Sequence, residues 1–182
     1  MELETQSLQS LRIIDLDVTP IAYDNFRRFG TVIGSADDGK PFDSDDAQLD
    51  LSRGAPRFYI MNLPNRGLTF RQITRHLQVT QCLAAVGGKP WLIAVAPPLE
   101  LNNGAACPDP AEICAFQVPG DRAIQLHRGT WHAGPYFTEP SRAFFNLELT
   151  DTNQVDHHDC YLDQHYGIQM RFKLASPPLG SV

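Results

Sequence analysis

The stretch LHRGTWHAGPYF, residues 126–137, places two histidines on either side of a glycine. His127 comes before Gly129 and His132 comes after it. Residues five apart on an unbroken strand face opposite ways, so the two imidazoles share a side only if a turn or bulge at Gly129 resets the alternation. The stretch therefore predicts a turn between two segments, with histidines at the ends of both.

A second segment follows the same plan. In ITRHLQVTQCLAAVGG, residues 73–88, a strand ends at His76, turn-like residues follow, and Gln81 begins the next strand. An arginine stands beside the histidine in each segment, as Arg75-His76 and as His127-Arg128. Two separate strand ends with matching histidine and arginine groups predict one shared site that binds a small anion.

The rest of the chain predicts a mainly β fold. Fourteen prolines and thirteen glycines separate short runs of aliphatic, β-branched and aromatic residues. Many short strands favour a sandwich or a closed barrel over a parallel α/β sheet. The predicted strands cover residues 31–34, 57–63, 68–76, 81–86, 91–97, 113–118, 123–127 and 143–150.

Two features of these segments have local consequences. In the last predicted strand, Asn146 and Glu148 alternate with apolar residues, so one of its faces is polar. Two short helical pieces are also expected. One covers residues 20–30, with Thr19 as its cap, and a single turn opens PDPAEICAF at residues 108–116.

Composition limits the class of protein. A chain of 182 residues with 42% hydrophobic content can bury the core of one domain, expected at 17–172 with an extension at 1–16 and a tail at 173–182. The net charge of −6 and the scattered basic residues argue against a nucleic-acid partner. The N-terminus does not resemble a secretory signal, and glycines and prolines interrupt the most apolar window, at 82–101. We expect a soluble cytoplasmic protein without a membrane partner.

Three other groups of residues receive a structural interpretation. The cysteines Cys82, Cys107, Cys114 and Cys160 form no CxxC pair, and we expect all four to be reduced. The acidic loop at 35–56 lacks a glycine and a terminal glutamate at the fixed offsets that a calcium loop needs, which favours a solvated surface loop. The adjacent His157 and His158 resemble a metal pair, but neighbours in an extended chain point apart, which favours an ordinary loop.

The two histidine segments resemble the two motifs of the cupin superfamily. In the first motif Thr74 stands at the first histidine, His76 at the second and Gln81 at the glutamate. In the second motif His127 replaces the proline and His132 keeps the ligand position. The resemblance implies a divalent metal such as Ni, Zn or Mn at His76, Gln81 and His132. It would be bound weakly, because an amide oxygen is a poorer ligand than a carboxylate.

Three motifs together resemble the ureidoglycolate lyase family. They are RHxxxTQ at 75–81, the WLIAVAP strand at 91–97 and HRxxWH at 127–132. The segment TPIAYDNFRRFGTVI and the later Cys160 extend the resemblance to about residues 17–165. It implies a cupin-like β-barrel, a homodimer, and a lyase that splits (S)-ureidoglycolate into glyoxylate and urea in allantoin breakdown.

That reaction assigns expected roles to the site residues. Ureidoglycolate is a hemiaminal, so a base must take its hydroxyl proton while an acid protonates the departing nitrogen. A guanidinium group offers paired donors to the carboxylate of the substrate. The expected catalytic residues are His132, His76 and His127, and the expected substrate-binding residues are Arg57, Arg75, Gln81 and Arg128.

The chain departs from the family pattern at two positions. Ala133 stands where the family often has a second histidine, and Leu149 follows Glu148 where the family usually has Asp-Arg. These departures keep three alternatives open. The chain could be a divergent enzyme for another 2-hydroxy or ureido acid, a non-catalytic barrel that binds a small carboxylate or sugar, or a metal-dependent isomerase or oxygenase.

Overall fold

The computed structural model describes residues 10–174, which form thirteen strands, three short helices and one 3₁₀ turn. The strands are β1 (Arg12–Pro20), β2 (Gly30–Ile33), β3 (Pro56–Pro64), β4 (Thr69–Phe70), β5 (Gln72–Arg75), β6 (Gln81–Ala85), β7 (Trp91–Ala96), β8 (Cys114–Val118), β9 (Ala123–Leu126), β10 (Trp131–Tyr136), β11 (Ser141–Leu149), β12 (His158–Tyr161) and β13 (Ile168–Lys173). The helices are α1 (Tyr23–Phe26), α2 (Thr152–Val155) and α3 (Leu162–Tyr166), and the 3₁₀ turn covers Pro110–Glu112.

The strands form two sheets that face each other. The larger has eight strands in the order β12-β5-β10-β7-β8-β1-β13-β4, and the smaller has five in the order β2-β9-β6-β11-β3. Most neighbours are antiparallel, but β1 pairs in parallel with both β13 and β8. The predicted mainly β architecture with short helices is confirmed.

The hydrophobic core fills one part of the space between the sheets. Ile93 and Val95 of the larger sheet belong to the same buried cluster as Leu83, Ile124 and Phe144 of the smaller sheet. A second apolar cluster covers the other side of β7, so all six residues of that strand are buried. Burial on both faces explains why WLIAVA is continuously apolar rather than alternating.

All eight predicted strand regions contain strands. Four further strands were not predicted, and one predicted helix is much shorter than expected. The prediction missed β1, β10, β12 and β13, and it placed a helix across residues 20–30 where only α1 forms. Pro20 still belongs to β1, so Ala22 rather than Thr19 precedes the helix. Hydrophobic periodicity is weak in β10 because histidine, glycine and proline interrupt it.

The expectation of four reduced cysteines is wrong. Cys107 and Cys160 form a disulfide with their Cα atoms 5.3 Å apart, whereas Cys82 and Cys114 are free. The two bonded cysteines are 53 residues apart in sequence, and no local motif indicates the pairing. The bond joins the connection between β7 and β8 to the edge strand β12.

The predicted chain ends fall only partly within residues 10–174. β1 begins at Arg12, inside the predicted extension, and its first six residues pair with β13. Most of the predicted tail, residues 175–182, lies outside the described residues, as do residues 1–9. None of the helices in the described part of the chain is long and apolar enough to span a membrane.

Candidate active site

A cavity of about 460 Å³ opens between the two sheets beyond the apolar core. Inward-facing side chains of β3, β6 and β11 line it from the smaller sheet, and β5 and β10 line it from the larger. Along β3, Tyr59 and Leu63 both line the cavity, and their separation of four positions corresponds to about 13 Å of strand. The cavity is therefore long enough to bind different groups of a small molecule at its two ends.

His76 lies at the end of β5 and points into this cavity. Its Nδ1 is 2.7 Å from the backbone oxygen of Asp156, which can only accept, so Nδ1 carries the hydrogen and Nε2 is left as an acceptor. The Asp156 carboxylate also accepts hydrogen bonds from the backbone nitrogens of Leu77 and Gln78, each at 2.8 Å. Burial lowers the pKa of His76, so the imidazole is neutral near pH 7.

The predicted turn at Gly129 is confirmed. Its φ of 81° lies in the left-handed region, and its nitrogen donates to the backbone oxygen of His76 at 2.6 Å. A β-carbon at this position would meet the end of the Leu101 side chain at 2.2 Å, so another residue type would have to displace that side chain and adopt a positive φ. The turn thus joins the two histidine segments directly.

His132 enters the cavity from β10, opposite Thr74 of β5 in the strand register. Its ring centroid is 5.1 Å from that of His76, and its Nδ1 is 3.2 Å from the backbone oxygen of Thr130. Burial and the neighbouring His76 lower the pKa of His132 to about 3. The site therefore holds two neutral imidazoles, and neither Nε2 is hydrogen-bonded to any residue of the described part of the chain.

A third imidazole, which the sequence did not indicate as a site residue, belongs to His157. Its ring centroid is 5.6 Å from that of His76, and its Nε2 is 3.2 Å from the Asp159 carboxylate. Asp159 also accepts a hydrogen bond from the Thr74 hydroxyl at 2.5 Å. The neighbouring His158 points away toward Asp156, as expected for adjacent residues in an extended chain.

A polar network forms the wall of the cavity on the smaller sheet. Glu148 accepts hydrogen bonds from the Tyr59 hydroxyl and from Gln81 Nε2, both at 3.1 Å, and Asn146 Nδ2 donates to Tyr59 Oη, also at 3.1 Å. The sequence correctly indicated a polar face of β11 but did not connect it to the site. The alternation of Asn146 and Glu148 with apolar residues was the signal that could have identified these two residues as part of the site.

Among the residues expected to bind substrate, Gln81 lines the cavity, whereas three arginines lie outside its wall. Arg75 is fully buried on the opposite face of β5, where it donates to the backbone oxygens of Leu99 and Asn103 and lies over the Trp131 ring. Arg128 pairs with Asp50 at 3.0 Å.

Arg57 and His127 lie closer to the site but also outside the cavity. Arg57 is exposed, with its guanidinium carbon 3.7 Å from the centroid of the Tyr59 ring. His127 lines a separate small gap together with His76 and His132, and its Nε2 is 3.2 Å from the backbone oxygen of Arg27. The arginines that line the cavity itself are Arg66 and Arg71, near Tyr136 and Phe70.

The expected metal ligands make a poor donor set. His76, Gln81 and His132 offer two imidazoles and one neutral amide oxygen, and the Gln81 nitrogen is already bound to Glu148. Within residues 10–174, no group of three or more His, Cys, Asp or Glu side chains is arranged to hold a metal ion. Divalent ions favour sets with more imidazole or carboxylate ligands, so these residues do not fit a divalent metal well.

Comparison with known proteins agrees with this architecture. Residues 13–169 match the family described as ureidoglycolate lyase. The chain belongs to the ureidoglycolate lyase family. It is 25% identical over 167 residues to "Ureidoglycolate lyase 2" of Rhizobium meliloti, covering 85% of this chain and 94% of that protein. It is 30% identical over 158 residues to "Ureidoglycolate lyase" of Pseudomonas syringae pv. tomato, covering 79% of this chain and 88% of that protein.

Similarity to solved structures is more distant. A dTDP sugar isomerase from Desulfovibrio desulfuricans G20 has a TM-score of 0.42 and 13% identity, covering 76% of this chain and 84% of that one. Bacillus subtilis oxalate decarboxylase has a TM-score of 0.38 and 11% identity, covering 61% of this chain and 25% of that one.

Both departures from the ureidoglycolate lyase pattern occur at buried positions. Ala133 pairs with Ala94 of β7 and belongs to the apolar cluster on the larger sheet. Leu149 is buried at the end of β11, one residue after the Glu148 of the polar network. The imidazole pair and the polar network both form without a histidine at 133 or an arginine at 149.

Proposed function

We propose that this member of the ureidoglycolate lyase family splits (S)-ureidoglycolate into glyoxylate and urea. The observation that carries the proposal is the pair of neutral imidazoles, His76 and His132, with both Nδ1 atoms bonded to backbone oxygens and both Nε2 atoms free. A base near pH 7 must be unprotonated, and burial keeps these two groups in that state.

The proton balance of the reaction suits such a pair. The base removes the proton from the hydroxyl group, the carbon–oxygen double bond of glyoxylate forms, and the carbon–nitrogen bond breaks. The departing nitrogen then takes up one proton to give urea, so the proton removed from oxygen equals the proton delivered to nitrogen. We assign the removal to His132 or His76, whose rings lie within reach of one substrate, and the reaction needs no net proton from solvent.

We further propose that Arg66 and Arg71 bind the carboxylate of the substrate. Both line the cavity, and each uses only part of its guanidinium, since Arg66 Nη2 is 3.4 Å from the Pro135 oxygen and Arg71 Nε is 3.0 Å from Gln169. This replaces the expected assignment to Arg57, Arg75 and Arg128, whose positions lie outside the cavity wall. Leu63 and Phe70 line the cavity beside Arg66, while both arginines are exposed, so the carboxylate would bind at a solvent-accessible end of the cavity.

No step of this proposal passes through a metal. The expected ligands His76 and His132 already have a role as bases, and Gln81 is held by Glu148. Chelator-treated protein is therefore expected to keep its activity. A loss of activity that is restored by Ni, Zn or Mn would assign the two imidazoles to a metal instead.

The test is turnover of freshly prepared ureidoglycolate, with glyoxylate and urea measured separately and corrected for spontaneous decay. Equal amounts of both products above background are expected. His132→Gln should lower kcat by about a hundredfold or more, because a general base contributes about 10²–10⁴. The matched control is His165→Gln on α3, which is exposed and lies outside the cavity. Wild-type rates at background would refute the lyase, and carboxylate binding without turnover would favour a binding protein.

We also propose that the protein is a cytoplasmic homodimer. In support, the outer face of the smaller sheet carries exposed apolar residues on its edge strand β3, with Phe58 68% and Ile60 56% exposed. Phe58 also stacks on Phe145 of the next strand, at 5.8 Å between ring centroids, which makes the face continuous. Light scattering should give the mass of two chains for the wild type and of one chain for Phe58→Asp. A monomeric wild type would contradict the dimer.

A further inference from the structure

We infer that Tyr59, Gln81, Asn146 and Glu148, here called the acceptor wall, form a binding subsite for a ureido or primary amide group. The inference rests on the proposed function in taking a ureido acid as the substrate class. It goes further, because it assigns one end of the cavity to the nitrogen-bearing end of the substrate and names the atoms that recognise it.

The carboxylate of Glu148 fixes the direction of every hydrogen bond in the acceptor wall. A carboxylate only accepts, so the Gln81 amide must present its nitrogen to Oε2, and the Tyr59 hydroxyl must donate to Oε1. The proton of Tyr59 is then committed, so its oxygen must accept from Asn146, which therefore presents its nitrogen as well. Both amide nitrogens donate to the network, and neither amide oxygen takes part in it.

Neither of these oxygens has a partner in the described residues. Gln81 Oε1 and Asn146 Oδ1 are buried without a hydrogen bond, although their side chains line the cavity and are only 7% and 2% exposed. A buried acceptor without a donor costs about 1–3 kcal/mol, and native proteins rarely leave two in one site without a function. The arrangement therefore calls for a ligand that supplies N–H groups.

A terminal ureido group supplies such donors. Its terminal NH₂ group carries two N–H donors, one for each amide oxygen, whereas a carboxylate or sugar ring offers no comparable pair of N–H groups. Arg66 and Arg71 give the other end of the cavity the opposite character, because their groups only donate. A ureido acid thus binds in one direction, with its carboxylate at the arginines and its ureido group at the acceptor wall.

The test compares two unreactive carboxylates of the same shape. Ureidoacetate lacks the hydroxyl group that the reaction needs, and N-acetylglycine replaces its terminal NH₂ with a methyl group. Calorimetric titration should show ureidoacetate binding about tenfold more tightly to the wild type, the factor for one net hydrogen bond to a buried partner. Asn146→Leu and Gln81→Met should each reduce this preference, while the affinity for N-acetylglycine stays the same.

The control is Asn102→Leu, the same change at an exposed position in the connection between β7 and β8, which should keep the wild-type preference. Unchanged binding of N-acetylglycine also shows that a variant is folded. The inference is overturned if the wild type binds both probes equally, if it binds neither, or if folded Asn146→Leu and Gln81→Met both keep the full preference. None of these readouts depends on turnover. An inactive protein that still prefers ureidoacetate would therefore refute the proposed lyase activity and still support the ureido subsite.

Discussion

Removal of the Cys107–Cys160 disulfide should destabilise the protein and loosen one side of the site. The bond closes a loop across 53 residues of sequence, and loop-closure entropy for that length corresponds to about 4 kcal/mol of stability. At about 2–4 °C per kcal/mol for a chain of this size, the melting temperature should fall by about 10 °C. The double variant Cys107→Ser/Cys160→Ser removes the bond without leaving a thiol.

The bond also bears on the cavity through β12. Among residues 10–174 this edge strand pairs with β5 alone, and it carries Asp159, the partner of both His157 and Thr74. Without the disulfide, β12 keeps its pairing with β5 but loses its covalent link to the connection between β7 and β8. We expect amide hydrogen exchange to rise in β12 by more than in β7, which is buried on both faces.

The assay is urea unfolding of the wild type, the double variant and Cys114→Ser, together with thiol counts on denatured protein. Cys114 is free and only partly buried, so it controls for loss of a cysteine as such. Without reductant, two thiols are expected in the wild type, from Cys82 and Cys114. Four thiols, together with equal midpoints for the wild type and the double variant, would refute the bond and restore the expectation of reduced cysteines.

Three other predictions concern individual groups. Arg66→Ala should raise the KM for ureidoglycolate about tenfold or more with little change in kcat, because it removes a charge-assisted bond of about 1.5–3 kcal/mol; an unchanged KM in steady-state kinetics would place the carboxylate elsewhere. The pKa of His132 is about 3 in the folded protein and about 6.5 in the unfolded chain. Below about pH 6.5 unfolding takes up a proton, so the contribution of His132 to the free energy of unfolding is full above that pH and falls as the pH drops toward 3. His132→Gln should flatten this pH dependence in urea titrations at pH 7.5, 6 and 5. Burial raises the pKa of Cys82 to about 11, so iodoacetamide at pH 8 should modify it about a hundredfold more slowly than a free thiol, as peptide mass spectrometry can check.

The sequence predicted the strand framework well because apolar runs bounded by glycine and proline report burial directly. It also predicted that His76, Gln81 and His132 share one site, and all three line the same cavity, where the turn at Gly129 brings the two histidine segments together. His157 was not predicted as a site residue, since its contact with His76 depends on the pairing of β12 with β5 across more than eighty residues. The same long-range pairing brings Cys160 to Cys107, which no local pattern records.

Arg75 shows why adjacency to His76 in sequence does not place a side chain in the cavity. Arg75 and His76 are neighbours at the end of one strand, so when His76 faces the cavity Arg75 must face the opposite side. There its guanidinium binds the backbone oxygens of Leu99 and Asn103, a few residues before Cys107.

Two independent attachments thus fasten the connection between β7 and β8 to the back of the site. Arg75 attaches it to β5, the strand that leads into His76, and the disulfide attaches it to β12, which follows His157. A mobile β5 would move His76 relative to His132, and a displacement of about 1 Å is enough to slow a reaction about a hundredfold. In the proposed reaction Arg75 would therefore act through the position of His76, and the arginines proposed to bind the carboxylate, Arg66 and Arg71, lie on either side of β4.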